Sequence, residues 1–170
     1  MIRPRSTAIM ALSFCAACIA FVAIGPDRFW LLGGDPDLGP VAFETLRRRS
    51  TRNDALACPP AFCAARSDLT PPVYAVPAQQ LRTAFATMIA SEPRVVRVAS
   101  DDAAMTERYV QRTEWLGFPD TIAVRFLDRP NETSTLALYS RSKFGEGDLG
   151  VNRARIERWL AKLSTIVETP

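Results

Sequence analysis

From Ala8 to Ile24 every position but Ser13 is apolar, and Gly25-Pro26-Asp27-Arg28 closes the run. Extended through Gly25 it is about 18 residues, roughly 27 Å as a helix, just short of a hydrocarbon core of about 30 Å. Arg3 and Arg5 stand before it; Phe29, Trp30, Leu31 and Leu32 stand after it, where they can complete an anchor at the far interface. The pattern predicts a membrane helix in residues 1–32, inserted through Ala8–Leu32, N-terminus cytoplasmic and the rest outside. Three alternatives stay open: a cleaved signal at Ala23-Ile24-Gly25, lipoprotein processing at Cys18, or a buried core helix. Pro26 disfavours the first, and Cys15, where such a site wants leucine, disfavours the second.

Gly33–Val41 is rich in Gly, Pro and Asp, and residues 33–52 read as a linker. The remainder, residues 53–170, changes period in the way a mixed domain does. Val73–Val76 reads as a short strand. Pro77 then opens a helix with Leu81, Ala84, Phe85, Met88 and Ile89 on one face, and Glu92-Pro93 stops it. Val95–Ala99, Thr106–Trp115, Thr121–Leu127 and Ser134–Ser142 read as four strands separated by short turn sequences, which predicts antiparallel neighbours. Asn152 is placed to cap a last helix with Ile156, Trp159, Leu160 and Leu163 on one stripe. The expected fold is α+β: an antiparallel sheet of about five strands in β-α-β-β-β-β-α order, helices packed on one face.

The chain has 170 residues, enough for one domain and an appendage, and 48% of them are apolar, enough for a core. Net charge is +3, and Lys143 and Lys162 are the only lysines, so the cationic surface is almost all arginine. Guanidinium forks match carboxylate and phosphate. There is no histidine. That removes Ser-His and Cys-His nucleophile activation and the usual acid–base group near neutral pH. It also removes nearly all catalytic zinc sites.

Cys58 and Cys63 form a C-x4-C pair. Outside the cytoplasm the expected state is a disulfide; free or redox-active thiols and a metal site are the alternatives. The densest polar stretch is Ser140-Arg141-Ser142-Lys143 with Gly145, Asp148, Gly150, Asn152, Arg153 and Arg155. It runs from a strand end through a glycine loop into a helix start, a geometry able to hold an anion. The competing reading pairs Asp148 with Arg141 or Arg153 in a packed crossover. Arg112, Arg125 and Arg141 fall on three successive strands, with Arg125 expected to face away from the core. Sharing a face, they would make a basic patch beside Tyr109 or Tyr139; the alternative is an ordinary charged outer face. Candidate ligand-binding residues are therefore Arg112, Arg125, Arg141, Ser142, Asp148, Asn152 and Arg153. Glu107, Asp120 and Asp148 are the candidate carboxylates, without a spacing that defines a catalytic pair. No metal, cofactor or nucleic-acid partner is expected.

Asn53-Asp54-x-Leu56-x-Cys58-Pro59 with Cys63, then Tyr109-Val110-Gln111-Arg112, Phe118-Pro119-Asp120 and Val124-Arg125-Phe126, form one set of motifs. Ser140-Arg141-Ser142 with Gly145-x-x-Asp148-x-Gly150-x-Asn152-Arg153-x-Arg155 completes it. Together they resemble the domain-of-unknown-function family fourteen-ninety-nine of bacteria and chloroplasts, over roughly Phe43–Leu163. The resemblance implies a small extracytoplasmic or membrane-attached protein with no established activity, and supplies no catalytic residues. The expected role is a non-catalytic envelope module, held in the inner membrane with its domain in the periplasm, for an unknown ligand, anionic or lipid. A membrane-protein assembly factor and a histidine-independent enzyme using arginine and carboxylate groups are the alternatives.

Overall fold

The structure, a computed structural model, describes residues 4–168. Helix α1 spans Pro4–Ile24 and a single turn, α2, spans Pro26–Phe29. The domain follows as β1 (Asp54–Ala57), α3 (Ala78–Ala90), β2 (Val95–Asp101), β3 (Thr106–Arg112), β4 (Pro119–Arg129), β5 (Thr133–Ser142) and α4 (Val151–Ile166). The five strands form one sheet in the order β1-β5-β4-β3-β2, and every pairing is antiparallel. The fold is thus α+β, with the strand number and element order that the periodicity predicts.

The first strand is not the expected one. Val73–Val76 makes only an isolated bridge, in which Tyr74 and Ser134 exchange backbone hydrogen bonds of 2.8 and 3.0 Å. Pro71, Pro72 and Pro77 flank it, and a proline has no N–H for a ladder. Asp54–Ala57 takes the place beside β5, in register Asp54↔Arg141 to Ala57↔Leu138. Its far edge is closed by the N–H groups of Asp68 and Leu69, both donated to the Leu56 carbonyl. On the other edge β2 is interrupted by a register shift between Arg97 and Ala99.

The strands alternate cleanly. Ile122, Val124 and Phe126 of β4 and Leu136 and Leu138 of β5 face the helices, where Leu81, Phe85 and Met88 of α3 and Ile156, Trp159 and Leu163 of α4 meet them. Both helices pack on this face, as expected, and Phe85 touches Tyr109, Phe126 and Trp159 edge-on or tilted. The opposite face is also covered. Leu56, Ala123, Ala137 and Tyr139 carry a second, smaller core with Phe43, and Val41, Leu46 and Phe62 pack against it. The Cys58–Cys63 disulfide closes the loop that sets Phe62 beside Phe43.

Residues 33–52, expected as a linker, supply that cover. Arg108 forks onto Asp37 at 2.8–3.2 Å, and Arg141 donates to the Leu38 and Gly39 carbonyls at 3.0 and 2.7 Å. Burial pushes the Asp37 carboxyl up, but Arg108 and the Gly39 N–H more than offset it and hold it below its ordinary value.

In α1 the described side chains from Ser13 to Ile19 are all exposed and, Ser13 apart, apolar. Among the described residues no helix is long and apolar enough to cross a membrane. Residues 1–3, with Arg3, and the side chains of residues 4–8, 11 and 12, all part of the expected anchor, lie outside those described. Beyond α1, Trp30 stacks on Phe118 and Phe144, at centroid distances of 4.4 and 5.1 Å, and donates its ring N–H to the Leu116 carbonyl. The C-terminal end of the apolar helix is thereby fixed to one end of the domain.

Candidate functional site

At that same end, α4 begins over the first residues of β4 and the last of β5, and a buried polar cluster lies between them. Alternation puts Gln111, Asp120, Ser140 and Ser142 on the helix side of the sheet. Arg155, one turn into α4, reaches all but the last. It donates to Asp120 Oδ2 at 2.5 Å, Gln111 Oε1 at 2.5 Å and Ser140 Oγ at 2.7 Å. A fourth contact, 2.6 Å, goes to Asn152 Oδ1. The Asn152 amide nitrogen lies 2.9 Å from Ser142 Oγ, 3.0 Å from the Asn53 carbonyl and 2.7 Å from Asp148 Oδ2. Asn53 ties in the loop by donating to the Gly145 carbonyl at 2.6 Å. Low dielectric strengthens such a cluster and penalises any missing partner, so its members act as a unit.

The start of α4 differs from the expected one. Gly150, at φ 81°, precedes the helix, and no side chain of its own caps it. Asp148 does the capping: Oδ1 accepts from the Gly150 N–H at 3.0 Å and Oδ2 from the Asn152 N–H at 2.8 Å. Asn152 turns its side chain inward instead. The helix end therefore already holds a carboxylate, and the charge-favourable position for an anion is filled by the chain itself.

Of the sequence-predicted residues, Ser142, Asp148 and Asn152 come together here. Arg153 points outward and pairs with Glu157 at 2.9 Å. Arg125 faces away from the helices, as expected, and Arg112 and Arg141 share that opposite face of the sheet, without converging. Arg112 donates to the Gly117 carbonyl at 3.1 Å, Arg125 pairs with Glu44 at 2.9 Å, and Arg141 holds the 38–39 segment. Tyr139 beneath Arg141 donates to Asp54, and burial, then the Asp54 carboxylate, pushes its phenol far above the ordinary range.

Sequence reasoning missed Gln111, Asp120 and Arg155 as one site. The available signal was the spacing: Asn152 and Arg155 stand one turn apart on the stripe that continues into Ile156 and Trp159. It missed a second cluster as well. Arg82 of α3 is buried, pairs with Glu107 at 2.9 Å and with Asp102 at 2.6 Å, and reaches Ser100 at 2.6 Å. Tyr109 donates to the same Glu107, and burial, then this carboxylate, drives its phenol well above the ordinary range.

Two concavities adjoin the main cluster. One, about 300 Å³, has Phe118, Phe144, Leu149 and Val151 as walls and reaches Asp120 and Ser142. The other, about 390 Å³, is lined by Arg48, Arg49, Arg52 and Arg153 together with Asp54, Asp68 and Asp148. In it Arg48 is spent on Asp54 and Asp68, at 2.5 and 2.8 Å. Among the described residues no group of three or more His, Cys, Asp or Glu side chains is placed to hold a metal ion.

The family described as "Protein of unknown function (DUF1499)" has a model that matches residues 51–163. No curated protein matches the chain. The matched span runs from just before β1 to the last buried turn of α4, and so takes in the sheet, both packed helices and the polar cluster. The chain belongs to this family of unknown function.

Proposed function

We propose that the chain is a membrane-tethered binding module, not a catalyst, whose ligand is an uncharged amphiphile with a hydrogen-bonding head group. The observation that carries this reading is the pocket of about 300 Å³ with apolar walls and Asp120 and Ser142 at its base. Small-molecule sites are typically such apolar concavities with a few convergent polar groups. The base offers oxygen acceptors and a hydroxyl, and no cation lines the pocket. A carboxylate or phosphate head would meet Asp120 and Asp148 there; a hydroxyl head would donate to them.

Tethering is supported by α1. Apolar side chains exposed over Phe14–Ile19 are unfavourable in water and suit a bilayer. The apolar run of the helix, roughly 27 Å with Gly25, nearly matches a hydrocarbon core of about 30 Å, and Phe29–Leu32 follow it at the far end. The disulfide supports an oxidising compartment for the domain, and with Arg3 and Arg5 ahead of α1 this favours an inner-membrane chain with a periplasmic domain.

The test uses the full chain in phospholipid nanodiscs, with hydrogen exchange followed by mass spectrometry. Doping the discs with 1-monoolein should slow exchange in residues 117–120 and 145–151, and doping with oleate should not. Equal effects of both, or of neither, would remove the uncharged-amphiphile reading.

A further inference from the structure

The pocket mouth belongs to a larger apolar surface. Trp115 is 85% exposed at the β3–β4 turn with Leu116 beside it, and Leu149 and Val151 are exposed where α4 begins. Leu31 and Leu32 are exposed just beyond α2. Outside α1, the other large exposed apolar side chains among the described residues are Val96, Val98 and Ile166. Clustering of this kind at one end marks an interaction surface.

Its position says what the surface meets. Trp30, through Phe118, Phe144 and Leu116, locks the end of α1 to this end of the domain. Between α1 and the β3–β4 turn lies an apolar cleft of about 410 Å³, lined by Phe21, Val22, Trp30 and Leu116 among others. A helix leaving a bilayer at Ile24 would bring the cleft, the turn and the α4 start to the headgroup boundary together. Tryptophan and leucine at that depth are the side chains that anchor proteins in the interface.

We infer that this end of the domain, through Trp115, Leu116 and Leu149, sits in the bilayer surface, so that the pocket opens to lipid and is filled laterally from the membrane. The inference rests on the tether reading above. It adds a fixed orientation, with the sheet standing on the membrane by the β3–β4 turn and the start of α4.

Tryptophan fluorescence tests it. The full chain is reconstituted in vesicles of phosphatidylethanolamine and phosphatidylglycerol, doped with lipids brominated either near the glycerol or near the terminal methyl. Trp159 is fully buried in the core and serves as an internal reference out of reach of the quencher. Bromine near the glycerol should quench best, and Trp115→Phe should remove about half of the quenchable emission, leaving Trp30. Leu149→Asp, which changes a fully exposed side chain, should weaken Trp115 quenching and leave the chain in the vesicles. Equal quenching in the native chain and Trp115→Phe would show that the domain stands clear of the bilayer and overturn the orientation alone. A chain that fails to float with the vesicles would overturn the tether reading and the orientation with it.

Discussion

Arg155 Nη2 on α4 lies 2.5 Å from Asp120 Oδ2 on β4, with 4% and 3% of the two side chains exposed. Taking both charges out of water is costly, and the pair stands because Gln111, Ser140 and Asn152 complete the guanidinium's hydrogen bonds. The pair joins the central strand of the sheet to a helix that covers it, beside the proposed ligand pocket.

Removing one partner should therefore cost far more than a surface pair would. Asp120→Asn leaves an uncompensated buried guanidinium and should destabilise the fold by about 3–5 kcal/mol. Asp120→Leu with Arg155→Met should cost less than the sum of the two single changes, since residues in one network couple. Urea unfolding of the detergent-solubilised full chain measures both; additive losses would show that the two groups do not act as a pair.

All three tyrosines, Tyr74, Tyr109 and Tyr139, are buried, and burial raises each phenol above the ordinary value of 10.0. Glu107 and Asp54 raise the second and third further, and Ser164 offsets only part of the effect at Tyr74. A raised folded-state value means that the stabilisation is intact below the unfolded value and is lost as pH climbs beyond it. Absorbance near the phenolate band should thus show no tyrosine ionising at its ordinary pH. All three should appear together as the domain unfolds in alkali. A tyrosine titrating normally in the folded chain would contradict this packing.

Much of the fold was legible because its signals are local. Ile122, Val124 and Phe126 show period two, and Ile156, Trp159 and Leu163 show the helical period, whatever the rest of the chain does. Asp54–Ala57 was not legible. It has four residues, none β-branched, and is buried on both faces, so it carries no alternation; its pairing with residues 138–141 makes it a strand. The candidate site was half legible for the same reason. Ser142, Asp148 and Asn152 are close in sequence, whereas Gln111, Asp120 and Arg155 meet only after the sheet is assembled. For Arg125 alternation gave the outward face; that Arg112 and Arg141 share it follows from the strand register, and their separate partners, the Gly117 carbonyl, Glu44 and the 38–39 segment, keep the three apart.

Acid should weaken the contact between the two helices. Burial pushes the Glu92 carboxyl up, but Lys162 and the Trp159 N–H more than offset it and hold it below its ordinary value of 4.5. Lys162 and Trp159 each donate to it at 2.9 Å, joining the end of α3 to α4. For a lowered carboxylate the stabilisation is complete above the unfolded value and disappears as pH falls through the folded one. Melting temperature should fall below about pH 4.5 in the native chain, and Glu92→Gln should flatten that part of the profile. An unchanged profile in Glu92→Gln would assign the acid response to other carboxylates.

The partners of β1 have a consequence for how the chain is made. Asp54 waits for Arg141, and the Asn53 carbonyl waits for Ser142 and Asn152. The earliest strand to be synthesised is thus completed by the last strand and the last helix. Contacts of such long separation form late, because loop closure must precede any reward from them. A chain made N-terminus first cannot complete its sheet until β5 and α4 have been synthesised. For most of its synthesis the sheet therefore lacks this edge, and β1 is seated only when the last strand and helix have been made.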